Sequence, residues 1–232
     1  MKKNLLSVAL GAILSISALG VAHAAYPERP VRVIVPFAPG GSTDIVTRIV
    51  AAKMGEILGQ TLVVENKSGA GGAIGAAEGA RAKPDGYTLS IATVSTLAVN
   101  PACKPTGLGY DPLKDFQPVT NFTNVPNIVS VNPKFPAKDF KAFVEELKAN
   151  TDKYSYGSSG SCSINHLAGE AFLLATDTKV THVPYRGSGP AVADTVGGQV
   201  QVLFDNLPSS LAHVQSGGLV AMAVAWPERL AD

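Results

Sequence analysis

Hydrophobic positions along this chain switch repeatedly between two periods. Val31–Val35 is a short β-branched run and reads as a strand. The turn-forming stretch Pro36-Phe37-Ala38-Pro39-Gly40-Gly41-Ser42-Thr43-Asp44 follows. Beyond it, Ile45, Ile49 and Ala52 share one helical stripe, and Val46, Val50, Met54 and Ile57 share the next. Two apolar stripes predict a helix covered by neighbours on both, with Gly59 as its stop. Thr61–Glu65 reads as a second strand. A glycine-rich turn over 68–72 leads to an Ala-rich helix ending near Arg81, and Tyr87–Thr93 follows the turn Pro84-Asp85-Gly86 as a third strand.

From Asn100 to Pro118 four prolines and little periodicity predict loop. Val119–Val131 is β-prone but interrupted by asparagines, and could carry the crossing between two lobes. Phe140, Phe143, Val144 and Leu147 fall at i, i+3, i+4 and i+7, an amphipathic helix over 139–150. Tyr154–Tyr156 is a strand, 157–163 a second Gly/Ser loop, and a helix runs from about Ile164 to Ala175. Val180–Pro184, Val200–Phe204 and Leu219–Ala225 are further strands with helices between them. Repeated β-α units of this kind imply an α/β protein with mainly parallel sheets.

The first residues stand outside this pattern. Lys2 and Lys3 precede an apolar run from Leu5 to Val21, which ends at Ala22-His23-Ala24, an A-x-A cleavage site. Residues 1–24 therefore read as a secretory signal peptide; the run is short for a membrane anchor. Cleavage after Ala24 removes two lysines and no acids, so 19 basic and 18 acidic residues become 17 and 18. Such a near-neutral chain is not expected to bind nucleic acid. Export also brings Cys103 and Cys162 into an oxidising compartment, where they are either bridged or left as two thiols. Neither has a second ligand at metal spacing, so no metal and no cofactor are expected.

Two segments share one design: a strand, a Gly/Ser turn, then a helix. They are 39–44 and 157–163. Glycine lets the backbone approach a ligand, and the first turn of a helix offers unpaired N–H groups with partial positive charge. Ser42, Thr43, Ser158, Ser159, Ser161 and Ser163 add hydroxyls. One such turn is more often purely structural. Two, facing each other across a cleft, would grip both ends of a dianion.

Competing chemistry is poorly supported. The G-x-x-x-x-G-K-[ST] phosphate loop is absent, and Gly75 stands one residue late for a dinucleotide fingerprint. Ser161 occupies the position where a G-x-S-x-G elbow needs glycine. His166 has no orienting acid in view and reads as a packed or capping residue, and His182 and His213 look isolated. Cys162 at a helix start could serve as a nucleophile, a minority reading. Arg186 could meet a carboxylate or lie on the surface. Asp205 closes an apolar strand, where it could face a ligand or cap a helix.

Several of these stretches together resemble the substrate-binding receptors of tripartite tricarboxylate transporters, the Bug-type periplasmic proteins. They are Tyr26-Pro27-Glu28-Arg29-Pro30, the 35–44 loop, Val64-Glu65-Asn66-Lys67, Lys83-Pro84-Asp85-Gly86-Tyr87-Thr88-Leu89 and Tyr110-Asp111-Pro112 with Lys114-Asp115-Phe116. Tyr156-Gly157-Ser158-Ser159-Gly160, His166-Leu167-Ala168-Gly169-Glu170, Val183 through Pro190 and Gly197-Gly198-Gln199-Val200 complete the set. They run in order through nearly all of the chain after residue 24.

The resemblance implies a two-lobed periplasmic-binding-protein type II fold, each lobe a mainly parallel sheet flanked by helices. Lobe 1 would cover 25–124, lobe 2 125–226, and 227–232 would begin the return to lobe 1. It implies capture of a small carboxylate (a dicarboxylate, an amino acid or an aromatic acid) by a monomer, and delivery to a membrane permease. A periplasmic sensor, or less readily a Cys/Ser hydrolase, are the alternatives. Phe37, Ala38, Gly40, Gly41, Ser42, Thr43 and Asp44 would hold a carboxylate. Ser158, Ser159, Gly160, Ser161, Cys162 and Ser163 would grip from the other lobe, and Thr93, Ser95 and Asp205 would line the cleft.

Two departures stand out. Cys103 occupies a loop that commonly carries a Leu-Tyr type pair, and Cys162 sits in the second binding loop. A bridge between them would tie the lobes together beside the ligand. Relatives also continue for roughly another half-domain, which predicts a fragment or truncated product with the first lobe incomplete and apolar surface exposed there.

Overall fold

The computed structural model describes residues 26–230. The expected signal peptide, 1–24, lies outside them. Two sheets organise the chain. The first contains β1 (Val31–Val35), β2 (Leu62–Asn66) and β3 (Thr88–Ser90) in the order β2-β1-β3, all parallel. Central β1 is apolar at nearly every position because both of its faces are covered, as parallel strands require; Val31, Ile34 and Val35 are at most 1% exposed. Between the strands lie α1 (Ser42–Leu58) and α2 (Ala73–Ala80), and the short α3 (Asn100–Cys103) follows β3.

The second sheet takes the order β6-β5-β7-β4-β8. Its strands are β4 (Asn127–Val131), β5 (Ser155–Ser158), β6 (Thr181–Pro184), β7 (Val202–Asn206) and β8 (Val220–Ala225). β5 pairs in parallel with β6 and β7, while β4 runs antiparallel between β7 and β8. Helices α4 (Phe140–Ala149), α5 (Ile164–Thr176), α6 (Ser188–Gly197) and α7 (Leu207–Gln215) connect them. α4 behaves as its pattern predicts. The Asp139 carboxylate caps it by accepting from the Ala142 N–H at 2.8 Å, and Phe143 and Leu147 point into the core while Phe140 stays 44% exposed.

Two expectations are corrected. The β-prone stretch 119–131 is a strand only over Asn127–Val131; residues 118–126 form no regular element and are almost all exposed. Pro118 and Pro126 lack the N–H a ladder needs, and the asparagines between them favour turns. α1 is covered on one face, not two. Thr47 and Ala51 are buried, whereas Ile49 and Ile57 are 68% and 74% exposed, since nothing among the described residues packs over them.

Candidate functional site

The first loop is held by a carboxylate. Asp44, in the first turn of α1, accepts from the Gly40 N–H at 3.0 Å, from Asn66 Nδ2 at 2.9 Å and from Arg48 Nε at 3.0 Å. Asn66 Nδ2 also reaches the Phe37 carbonyl at 3.0 Å, which closes the loop on β2. Burial alone would raise the Asp44 carboxyl; hydrogen bonds from Arg48, Asn66 and the Gly40 N–H outweigh it and hold the group below its ordinary range.

The second loop is held by hydroxyls. Ser163 caps α5 by accepting from the His166 N–H at 3.2 Å, and Gly160 and Cys162 take positive φ of 125° and 61°. Ser158 Oγ lies 2.7 Å from His182 Nε2, fully buried beneath the loop. Ser159 Oγ donates to Asn165 Oδ1 at 2.5 Å.

The two loops meet across the lobes. Ser42 Oγ accepts from the Ser209 N–H at 2.9 Å and donates to the Asn206 carbonyl at 3.1 Å. The Ile164 N–H donates to Ser95 Oγ at 2.9 Å, and the Ala38 N–H to the Arg186 carbonyl at 3.0 Å. They enclose a small cavity. Phe37, Gly41, Ser42, Thr43, Thr93 and Ser95 form one wall. Ser159, Ile164, Asn165, Ser188 and Asn206 form the other. The free space is about 30 Å³, room for about one water. The lobes are therefore closed, and a ligand of several carbons must enter by their opening. A larger groove of about 550 Å³ lies beside α1 and β2, near Arg48, Ala51 and Leu62, but it is open to solvent and takes no residue from either Gly/Ser loop.

What surrounds the small cavity decides its chemistry. Four helices begin on its wall: α1 at Gly41 and Ser42, α5 at Ile164 and Asn165, α6 at Ser188, and α7 at Asn206. The caps of α1, α6 and α7 make no side-chain hydrogen bond to their own helix N–H groups. Each helix start carries roughly half a positive charge on unpaired N–H groups. Among the described residues, no lysine or arginine lines the cavity. The site is thus positive through backbone alone and suits an anion.

Seven of the expected residues line this cavity: Phe37, Gly41, Ser42, Thr43, Thr93, Ser95 and Ser159. The others lie around it. Ala38 bridges the lobes through its backbone. Gly40, Asp44, Ser158, Gly160 and Ser163 shape the loops, and Ser161 is exposed with its carbonyl packed toward Gly71. Asp205 is 1% exposed and turns to α7, where its Oδ2 accepts from Ser209 Oγ at 2.6 Å and Ser210 Oγ at 2.7 Å. Burial pushes its carboxyl up, against the pull of the Ser188, Ser209 and Ser210 hydroxyls. Arg186 is exposed.

Ile164, Asn165, Ser188 and Asn206 were missed. Gly187-Ser188-Gly189 after β6 repeats the strand–Gly/Ser–helix design, and Asn206 precedes Leu207-Pro208 as a helix-capping residue would. Both signals were available.

The two cysteines are neighbours. Cys103 and Cys162 are free thiols. Burial first, then a hydrogen bond to Cys103, push the Cys162 thiol up to about 11. A thiol raised in this way is the reverse of an activated nucleophile. His182 is not isolated either: it stacks on His166 at 4.1 Å and on Tyr156 at 4.8 Å.

Burial, and secondarily His166, push His182 down to about 4 from an ordinary 6.5. Between those values the unfolded chain binds a proton that the folded protein refuses, so stability rises with pH across the window. Lowering the pH from 6.5 toward 4 should reduce Tm, and should reduce it less in His182→Gln. Asp205, whose pKa is raised, acts with the opposite sign in both proteins. Parallel Tm curves for the two would refute the assignment.

The sequence profile described as "Tripartite tricarboxylate transporter family receptor" matches residues 46–232. The chain belongs to this family. It is 40% identical over 205 residues to protein BugT of Bordetella pertussis, covering 88% of this chain and 63% of BugT. Among solved structures, one described as a periplasmic transporter superposes with TM-score 0.88 at 69% identity, covering 89% of this chain and 69% of that one. R. palustris Rpa4515 with adipate gives TM-score 0.85 at 37% identity, covering 88% and 68%. MatC of Rhodopseudomonas palustris with bound malate gives 0.82 at 35%, covering 88% and 69%. These neighbours confirm the two-lobed α/β fold, and the family consists of binding receptors rather than enzymes.

Proposed function

We propose that this protein captures a small carboxylate between its two lobes in the periplasm and hands it to a membrane permease. The convergence of four helix starts on one closed cavity, with no cationic side chain among the described residues that line it, is the observation that carries the reading. Backbone N–H groups in such a cavity bind an anion strongly in the closed state and release it when opening readmits water. The adipate and malate held by Rpa4515 and MatC support the carboxylate class. We place lobe 1 at 25–124 and lobe 2 at 125–226, with 227–232 turning back, in keeping with one sheet over 31–90 and the other over 127–225. Export rests on the Lys2–Ala24 pattern.

Thermal unfolding of the protein against succinate, malate and adipate tests this. A ligand of the folded state at 100 times its Kd adds about 2.7 kcal/mol, which for a chain of this size raises Tm by roughly 5–10 °C. The rise should grow with concentration and be absent with the matching diamides. A cooperative transition that no mono- or dicarboxylate moves would refute the carboxylate reading.

A further inference from the structure

Asn165 is the second residue of α5 and is 1% exposed. Its Oδ1 is engaged by the Ser159 hydroxyl at 2.5 Å, which fixes the amide plane. Its Nδ2 has no hydrogen-bond partner although it is fully buried on the cavity wall. Buried donors are nearly always satisfied, so one left open in a cavity marks the place of an acceptor.

The charges nearby narrow what that acceptor can be. The two closest candidate carboxylates do not line the cavity. Asp44 is spent on Arg48, Asn66 and the Gly40 N–H; Asp205 engages Ser209 and Ser210 through Oδ2 alone, and its Oδ1, also buried without a partner among the described residues, is not on the cavity wall. An ammonium group placed here would face an N–H donor and four positive helix starts, with no carboxylate on the wall among the described residues.

From the Asn165 geometry we propose that Asn165 is a specificity-determining residue. Its Nδ2 donates to a carboxylate or hydroxyl oxygen of the ligand, and the site selects dicarboxylates and hydroxyacids over α-amino acids. This rests on the carboxylate reading above and narrows it.

Malate and aspartate differ at one carbon, hydroxyl against ammonium, and make the test. Isothermal titration of the wild type with succinate, malate, adipate and aspartate should give malate at least about tenfold tighter than aspartate, the scale of one charge-assisted hydrogen bond. Asn165→Asp keeps the shape, suits a helix N-terminus and so folds. It replaces the donor with a negative charge and should weaken every dicarboxylate by about 100-fold or more, while losing less for aspartate. Ser159→Ala, which frees the amide to turn, should give a smaller loss with the same ranking.

If Asn165→Asp binds the preferred dicarboxylate as the wild type does, Asn165 does not touch ligand and the inference is overturned while the carboxylate reading stands. Aspartate binding the wild type more tightly than malate also overturns it, and points to Asp205. If the wild type binds none of the four acids, the carboxylate reading itself fails and the inference with it.

Discussion

Gly189→Ala is expected to leave the protein folded and to weaken ligand binding by about 100-fold, the combined scale of two or three lost hydrogen bonds. Gly189 is the second residue of α6, in lobe 2. A Cβ there would meet the Pro39 carbonyl oxygen of lobe 1 at 2.2 Å, with Gly40 C and Gly41 N at 3.3 Å. All three are backbone atoms of the ligand loop, so no side chain can swing aside. Gly189 does not occupy the left-handed region, and alanine there favours the helix by up to about 1 kcal/mol. The substitution therefore strengthens α6 within its own lobe and obstructs only the approach of the other. The contacts that closure makes, Ser42 to Ser209 and Ala38 to Arg186, would be lost with it. Calorimetric titration with the acid that binds the wild type gives the affinity, and X-ray scattering gives the width of the ligand-bound state. Gly197→Ala is the control: it lies on the same helix, where a Cβ meets nothing within 4 Å. It should bind normally and melt slightly higher. Wild-type affinity in Gly189→Ala would show that binding does not need the lobes to close this far.

Closure by backbone contact also accounts for what the sequence revealed and what it hid. Helix and strand identities were legible because burial imposes a period, as in β1 and α4. The two Gly/Ser loops were legible because their composition suits an anion wherever it occurs. Ser188 and Asn206 were harder, since nothing local says that α6 and α7 start beside α1. That follows from β7 lying between β5 and β4, which brings the ends of β5, β6 and β7 to one edge. Side-chain direction was equally hidden. Asp44 stands within a ligand loop and Asp205 at the end of β7, yet both carboxylates turn to helix starts and organise the site from behind. Exposure on α1 could not be read from its stripes, because an apolar stripe states what a helix could bury and not what arrives to cover it.

Phe143→Ala should produce the largest loss of stability while leaving the affinity for ligand intact. Phe143 is fully buried on α4, between Phe135 and Phe172, each with ring centroids 5.6 Å away. Truncation removes the apolar contact and leaves a cavity that neighbouring aromatic rings cannot fill, at a cost of about 3–5 kcal/mol. Against a total of about 5–15 kcal/mol, Tm should fall by roughly 6–20 °C. Phe140→Ala, one turn earlier and 44% exposed, should cost about 1 kcal/mol or less. None of the residues packed around Phe143 lines the cavity, so the folded fraction should bind as the wild type does. Ligand then acts back on stability: at 100 times Kd it restores about 2.7 kcal/mol, more than half of a typical loss. Chemical denaturation of Phe143→Ala with and without its acid measures both quantities. Recovery smaller than in the wild type would mean that the lobe 2 core also holds the helix starts in register, and that the stability of this lobe and its grip on the anion are coupled.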